Sequence, residues 1–242
     1  MRVLIVGGAG RVGSIALPVL MAEHDCFCFD LAHVTKMGDR SIVGDVNDPK
    51  AVRQAVSGVE SIVYLPMGGI QMDSDDYMDE VHVRCVVSDA FDVHVQGFYR
   101  FLWEGLAAGI KHFVYASTLS VYWSLYRGTI DESVMPNAWD TYGVTKRLGE
   151  QLCAMASQQC PEATIIALRL IHPKTAQEMK DGDQLKRGRA YLGPKDTAQL
   201  FLTTLSCHRP GVHIVQTSSN QDGSLLPNIR ATELLGWRPS GD

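Results

Sequence analysis

Short apolar runs alternate with helix-like stretches along most of the chain. The first run, residues 2–6 (RVLIV), is rich in β-branched residues and lacks a helical period, which predicts a strand buried on both faces. Further strands are predicted at 26–30, 41–44, 60–65, 112–116 and 163–170. Because buried strands recur at regular intervals, the pattern favours a sheet covered by helices on both faces.

The segments between these runs predict helices. They lie after residue 13 to about 22, after Asp48-Pro49, over roughly 75–108, and over 140–158. Asp48 and Pro49 are typical of an N-cap and a first helical position, and Gly109 is typical of a C-terminal cap. Beyond the sixth strand the pattern is less regular, with a helix near 195–206, a strand near 211–216 and a helix near 228–235.

Strand–helix alternation of this kind requires right-handed crossovers between parallel strands. We therefore expect an α/β fold, a Rossmann-like doubly wound parallel sheet. The 242 residues fit one domain, 1–242. Residues from about 171 to 242 would contribute a small substrate-binding portion.

Composition excludes several classes of function. The net charge of −5 argues against a nucleic-acid surface. No apolar stretch approaches the roughly 18 residues of a membrane span, and the run at 3–6 is too short for a signal peptide. The six cysteines form no CxxC pair and no His/Cys metal spacing, so we expect a cytoplasmic protein with reduced thiols and no bound metal.

A glycine-rich loop joins the first strand to the first helix. Gly7, Gly10 and Gly13 give the spacing GxxGxxG, with Arg11 and Val12 between the last two glycines. Glycines at such positions permit the tight turn, the close approach of backbone to a pyrophosphate, and the packing of helix on strand. The helix N-terminus adds amide groups and a partial positive charge. The loop therefore predicts a dinucleotide site.

The acidic residue that ends the second strand bears on the choice of dinucleotide. A carboxylate at Asp30 accepts hydrogen bonds from ribose hydroxyls and repels a 2′-phosphate, which favours NAD over NADP. Three nearby basic residues favour NADP instead, because each could bind a 2′-phosphate. They are Arg11, His33 and Lys36. Asp45-Val46, after the third strand, is placed to meet the adenine edge, or Asp45 simply caps its loop.

A tyrosine and a lysine lie four residues apart on the helix predicted at 140–158. Tyr142 and Lys146 share one helix face, and a nearby ammonium favours a phenolate by lowering the phenol pKa. Such a tyrosine can take a proton from a substrate hydroxyl while hydride leaves. The fifth strand runs into Ser117 and Thr118, and a hydroxyl there can hydrogen-bond the reacting oxygen, since ligands bind at the carboxyl ends of parallel strands.

Taken together, these features resemble the extended short-chain dehydrogenase/reductase family, the family of NAD-dependent sugar epimerases and dehydratases. The matching order is GxxGxxG, an acidic residue after the second strand, the sequence 109–118 (GIKHFVYAST), and YxxxK at Tyr142 and Lys146. Leu168-Arg169 and the closing sequence 234–239 (LLGWRP) match as well. The resemblance covers nearly the whole chain.

This resemblance implies roles for individual residues. Tyr142 would be the catalytic base, Lys146 would lower its pKa and hold the nicotinamide ribose, and Thr118 would orient the substrate hydroxyl. The segment after the fourth strand, Leu65-Pro66-Met67-Gly68, would lie along the cofactor, with Gly68 and Ser117 reaching the substrate. Helices near 88–108 and 140–158 would form a homodimer surface.

The sequence departs from the family pattern at two points. His94 stands where the family often has Asn; it either holds a water or relays a proton, or it is a satisfied buried histidine. The chain is also short after the sixth strand, which resembles uronate dehydrogenases. On that likeness Arg169 would pair with a substrate carboxylate, or it is structural as in much of the family. His172 is either a contact in the substrate cleft or part of a plain turn.

Three functions follow as hypotheses. The first is an NAD-dependent oxidoreductase acting on a sugar or sugar acid. The second is a sugar or sugar-nucleotide epimerase or dehydratase, in which NAD is oxidised and restored within each turnover. The third is a regulatory protein that binds NAD(H) without turnover, and the joint presence of Thr118, Tyr142 and Lys146 counts against it.

Overall fold

The computed structural model describes residues 1–68, 88–123, 130, 132–181, 190–221 and 226–241. In these ranges seven parallel strands form one sheet in the order β3-β2-β1-β4-β5-β6-β7. The strands are β1 (Arg2–Val6), β2 (Asp25–Asp30), β3 (Ser41–Val43), β4 (Ser61–Tyr64), β5 (His112–Thr118), β6 (Thr164–Leu170) and β7 (Gly211–Gln216). The order reverses between β1 and β4, which is where doubly wound folds bind ligands.

Helices connect the strands and cover both faces of the sheet. They are α1 (Arg11–Glu23), α2 (Pro49–Ala55), α3 (Phe98–Ala107), α4 (Thr141–Gln159), α5 (Ala176–Lys180), α6 (Pro194–Leu205) and α7 (Ile229–Leu235). A π-helical segment, Asp92–Gly97, leads directly into α3. Short 3₁₀ segments lie at Thr35–Arg40 and Leu119–Val121.

Local sequence signals account for where several helices begin and end. The Asp48 side chain accepts hydrogen bonds from the Lys50 and Ala51 amides at the start of α2, and Asp140 accepts from the Gly143 amide at the start of α4. After α3, Gly109 has φ +87°, a conformation that glycine adopts without strain. These caps satisfy amide and carbonyl groups that a helix leaves unpaired at its ends.

Apolar side chains from the two faces of the sheet form two cores. One core packs α1 and α6 against the sheet and includes Leu17, Phe201 and Trp237. The other packs α3 and α4 on the opposite face and includes Phe101 and Tyr115. Trp237, part of the closing sequence motif, is fully buried, and its indole N–H donates to the Asp196 carbonyl at 3.2 Å.

The predicted doubly wound α/β fold is therefore confirmed. Each predicted strand corresponds to an observed strand, and its first and last residues differ from the observed ones by at most two positions. The part of the predicted 75–108 helix that precedes residue 88 lies outside the described residues. β5 extends two residues further than predicted, so Ser117 and Thr118 belong to the strand and pair in register with Arg169 and Leu170. None of the helices in the described ranges combines the length and hydropathy that crossing a membrane requires.

Candidate active site

The glycine-rich loop closes tightly against the neighbouring chain. A Cβ at Gly7, where φ is +81°, would lie 2.8 Å from the Pro66 nitrogen. A Cβ at Gly13 would lie 2.5 Å from the Gly8 Cα. Gly10 caps α1 without any side-chain hydrogen bond, so the first amides of the helix remain available to an anion. This glycine cradle fits the pyrophosphate of a dinucleotide.

Asp30 lies beside this cradle at the carboxyl end of β2. Its carboxylate accepts hydrogen bonds from the Ala9 amide at 2.9 Å and the Ala32 amide at 3.1 Å. Asp45 accepts from the Asn47 amide at 2.8 Å, which is the loop-capping alternative of the sequence analysis. Val46 is buried within the α3–α4 core.

The Arg11 side chain is ion-paired with a residue that follows β6. Its guanidinium forms an exposed ion pair with Glu178 of α5, so the loop is tied to the segment that follows β6. Val12 is half-buried and packs against the α1–α6 core. Because this ion pair is exposed, it leaves the guanidinium accessible, and binding of the cofactor by Arg11 stays a prediction.

Tyr142 lies on the first turn of α4, and its side chain faces that of Thr118 at the end of β5. Burial raises the pKa of Tyr142, the Thr118 side chain acts in the opposite direction, and the charge of Asp140 raises it further. Burial is the largest cause and opposes the lowering expected from Lys146, whose effect on this pKa stays a prediction. Thr118 also accepts from the Ser120 amide at 3.1 Å.

Lys146 is almost fully buried beneath the site, with 3% of its surface exposed. Its Nζ donates to the Ala116 carbonyl at 2.9 Å and to the Pro66 carbonyl at 3.5 Å. It also lies 5.2 Å from the centre of the Tyr115 ring. Burial lowers the pKa of Lys146 to about 7. Lys146 thus connects α4, β5 and the segment after β4.

The segment after β4 runs across this edge of the sheet. Leu65 is buried and Pro66 is half-buried, whereas the Met67 side chain is exposed. Gly68 is buried, and its amide donates to His94 Nε2 at 3.1 Å. A Cβ at Gly68 would lie 2.4 Å from the Asp89 carbonyl oxygen. Gly68 is therefore packed closely against the helical residue Asp89, and its contact with substrate stays a prediction.

His94 has no exposed surface and both ring nitrogens are in hydrogen-bonding contact. Nδ1 lies 2.9 Å from Thr145 Oγ1, and the ring meets the Tyr142 ring edge-on at 5.7 Å between centroids. Burial, together with the charge of Lys146, lowers the pKa of His94 to about 2. These contacts favour the satisfied buried histidine over a proton relay, which would need the ring to gain a second proton.

The predicted substrate residues Arg169 and Ser117 belong to a buried ionic network. Arg169 Nε and Nη2 donate to the two carboxylate oxygens of Glu150 at 2.8 and 2.7 Å, and Nη1 donates to the Tyr122 hydroxyl. Ser117 donates to Glu150 at 2.6 Å. Arg169 is 2% exposed. These contacts favour the structural alternative for Arg169, and substrate binding by Arg169 or Ser117 stays a prediction.

Sequence reasoning missed Glu150, the centre of this network. It lies on α4, one turn after Lys146, and is 3% exposed. A glutamate at this spacing shares a helix face with Tyr142 and Lys146, which was the available signal. His172 is exposed and has φ +37°, and its carbonyl accepts from the Leu192 amide at 3.5 Å as part of the isolated parallel bridge between Pro173 and Leu192. Its role as a substrate contact stays a prediction. Within the described residues, no group of three or more His, Cys, Asp or Glu side chains is arranged to hold a metal ion.

Comparisons with known proteins agree with this architecture. The chain is 24% identical to L-arabinose 1-dehydrogenase (NAD(P)(+)) of Haloferax volcanii, over 98% of this chain and 96% of that protein. It is 26% identical to N-acetyl-alpha-D-glucosaminyl-diphospho-ditrans,octacis-undecaprenol 4-epimerase of Escherichia coli O157:H7, over 71% of this chain but only 48% of that protein. A solved structure of a mutated uronate dehydrogenase superposes with a TM-score of 0.78 at 21% identity, covering 99% of this chain and 81% of that one.

The solved structure supports the fold alone, since its identity is low. The model of the NAD dependent epimerase/dehydratase family matches residues 3–189 and so includes the glycine cradle, Thr118, Tyr142 and Lys146. This chain belongs to the NAD dependent epimerase/dehydratase family.

Proposed function

We propose that this protein is an NAD-dependent oxidoreductase that acts on a sugar or sugar acid, with Tyr142, Lys146 and Thr118 as its catalytic set. The observation that carries the proposal is the convergence of Tyr142 on α4, the Thr118 side chain at the carboxyl end of β5, and the buried Lys146, whose Nζ donates to the Ala116 carbonyl of the same strand. Ligands of doubly wound sheets bind at this edge.

The cofactor would lie across the same edge. The glycine cradle would hold the pyrophosphate, Asp30 the adenosine ribose, and Lys146 the nicotinamide ribose next to Leu65 and Pro66. NAD, when bound, supplies the hydride acceptor. Asp45 and Val46 would lie at the adenine end of the site, although Asp45 is already occupied with the Asn47 amide.

Tyr142 and Thr118 would handle the substrate hydroxyl. Thr118 orients it, and Tyr142 takes its proton as the C–H bond breaks. Because burial raises the pKa of Tyr142, the phenol is protonated at neutral pH and must lose its own proton before it can act as a base. We therefore expect alcohol oxidation to accelerate as the pH rises, and carbonyl reduction to be favoured at lower pH.

The substrate class is inferred from the relatives and from the pairing of Arg169 with Glu150. The Haloferax relative, similar over nearly its whole length, is an L-arabinose dehydrogenase. The resemblance to uronate dehydrogenases suggests a sugar acid. Since Arg169 is committed to Glu150, a substrate carboxylate would need another partner. We therefore place neutral aldoses ahead of uronates, with residues from about 171 onward contributing to the substrate pocket of a single 1–242 domain.

The direct test is NADH formation at 340 nm with free aldoses, uronates and sugar nucleotides. Tyr142→Phe removes the proposed base. Tyr99→Phe is a matched control, because Tyr99 is 39% exposed on α3. Steady NADH production that is lost with Tyr142→Phe and retained with Tyr99→Phe supports the proposal. NAD binding without turnover of any compound would favour the regulatory alternative.

An epimerase with internal redox recycling is the second candidate. It is favoured by the similarity to the Escherichia coli 4-epimerase, although this chain spans about half of that protein's length. An epimerase would purify with NAD bound and would form a stereoisomer without net NADH. Mass balance of substrate and product by chromatography distinguishes it from the dehydrogenase.

We also propose a cytoplasmic homodimer that buries α3 and α4. These helices expose three large apolar side chains, Tyr99, Leu148 and Met155, and Tyr99 pairs with Trp103 at 5.3 Å between ring centroids. Light scattering coupled to gel filtration would give a dimer mass for the wild type and a monomer mass for Leu148→Arg. A monomeric wild type would refute the dimer.

A further inference from the structure

His94 contacts two parts of the chain that the proposed function brings together at the cofactor. One is the segment after β4, through the Gly68 amide 3.1 Å from Nε2. The other is the first turns of α4, through Thr145 Oγ1 at 2.9 Å from Nδ1 and the edge-on contact with the Tyr142 ring. His94 is completely buried, so neither contact is shared with solvent.

The partners of His94 determine where its proton lies. A backbone amide can only donate, so Nε2 must present a lone pair to Gly68. Nδ1 therefore carries the hydrogen and donates to Thr145 Oγ1. The Thr145 hydroxyl in turn donates to the Thr141 carbonyl at 2.9 Å or the Tyr142 carbonyl at 3.0 Å. The hydrogen bonds thus run in one direction from Gly68 to the turn that carries Tyr142.

The backbone around His94 is also unusual. His94 lies in the π-helical segment Asp92–Gly97, and such segments are rare in α-helices and often occur at functional sites. Tyr64, the last residue of β4, donates its hydroxyl to the Val93 carbonyl at 2.5 Å. A Cβ at Gly97 would lie 2.8 Å from the same hydroxyl. The turn is therefore fixed against β4 on both sides of His94.

We propose that His94, as the neutral Nδ1–H tautomer, is a positioning residue that ties the segment Leu65–Gly68 to the catalytic turn of α4. The inference rests on the proposed function, in which that segment lies along the cofactor and Tyr142 acts on the substrate. Lys146 makes a parallel link through the Pro66 carbonyl. Together the hydrogen bonds of His94 and Lys146 fix the distance between the segment Leu65–Gly68 and Tyr142.

The test compares His94→Phe with a matched variant of another buried histidine. His112 lies at the opposite end of β5, with Nδ1 2.9 Å from Ser61 Oγ and Nε2 2.8 Å from the Cys207 carbonyl. His112→Phe therefore loses two hydrogen bonds of the same kind far from the site. His94→Gln retains an acceptor for Gly68, and Thr145→Val removes the hydroxyl without changing the side-chain shape.

We expect His94→Phe to weaken NAD binding and to lower kcat, each by roughly tenfold, as the loss of about two hydrogen bonds predicts. His94→Gln should recover much of the loss. His112→Phe should lower the thermal unfolding temperature while leaving NAD affinity and kcat within about twofold of the wild-type values. Thr145→Val should have little further effect on NAD affinity or kcat when His94 is already Phe, because the hydrogen bonds from Gly68 to Thr145 are then already lost.

NAD affinity is measured by calorimetry without substrate, so it separates this inference from the proposed function. Wild type that fails to bind NAD refutes the proposed function. Wild type that binds NAD, with His94→Phe binding as tightly and turning over as fast, overturns the role of His94. Nitrogen-15 NMR of histidine-labelled wild type tests the tautomer even where a variant fails to fold: a proton on Nε2 of His94 would overturn it.

Discussion

Lys146 provides a prediction that follows from its burial and does not require a substrate. Its pKa is lowered to about 7, and burial is the cause. Its polar contacts are the carbonyls of Ala116 and Pro66 and the face of the Tyr115 ring. An ammonium in that position loses its hydration, and no carboxylate in the part of the chain that the structure describes forms an ion pair with it. Lys146→Met should remove the desolvation cost of the buried ammonium while keeping a side chain of similar length.

The magnitude follows from the two pKa values. An unfolded lysine titrates near 10.4, so about three pKa units separate the states, at 1.36 kcal/mol each. Below pH 7 both states are protonated, and the folded protein bears the full cost, about 4 kcal/mol. Between pH 7 and about 10.4 the unfolded chain holds more protons, so the free energy of unfolding rises with pH. From pH 7.5 to 9.5 the wild type should gain about 2 kcal/mol relative to Lys146→Met.

Urea denaturation of both proteins at several pH values in this window measures that difference. Titration of other groups cancels, since the two proteins share them. Lys111→Met is the control, because Lys111 is 58% exposed and pairs with Glu162 at the surface. Its difference from wild type should hardly change with pH. A difference for Lys146→Met that is equally flat would mean that the carbonyl contacts hold the ammonium at an ordinary pKa, and the reasoning would fail.

Three further predictions address the cofactor site and the buried network. Gly13→Ala places a Cβ 2.5 Å from the Gly8 Cα, so the cradle must shift and calorimetry should find NAD binding at least about tenfold weaker; unchanged affinity would contradict the cradle. Asp30→Ser removes the charge beside the ribose, so the affinity ratio of NADP to NAD should rise about tenfold, and a constant ratio would argue against this role for Asp30. Glu150→Gln leaves Arg169 without its buried partner and should cost about 3–5 kcal/mol in urea denaturation, whereas a loss below about 1 kcal/mol would show that Arg169 is solvated elsewhere.

The fold was predictable because its signals are local and mutually consistent. Each buried strand is a short apolar run, and the residues at helix ends, such as Asp48 and Gly109, act through their own backbone neighbourhood. Strand–helix alternation then predicts parallel strands joined by right-handed crossovers, whereas the order of the strands is known only from the structure. The end of β5 was placed two residues early, because Ser117 and Thr118 are polar and their strand conformation is imposed by pairing with β6. Pairing with another strand carries no signal in the local sequence.

The candidate site was predictable only as far as residue spacing determines position. Tyr142 and Lys146 share a helix face because they are four residues apart, and Thr118 follows from the end of a strand. The direction of the Tyr142 pKa could not be obtained in this way. It depends on how much solvent the phenol loses, and burial is the largest cause of the raised pKa of Tyr142.

Arg169 illustrates why the substrate residues were the weakest part of the prediction. An arginine at the carboxyl end of a strand is well placed for a ligand carboxylate, and the sequence alone offers no competitor for it. The competitor is Glu150, nineteen residues earlier on α4, which meets Arg169 only after β6 pairs with β5 and α4 packs over both. A buried guanidinium without a partner costs several kcal/mol, so the protein must satisfy it internally. The residues that remain for substrate are therefore those whose polar groups the fold leaves exposed at the strand ends, and they come from segments that vary in sequence more than the sheet does.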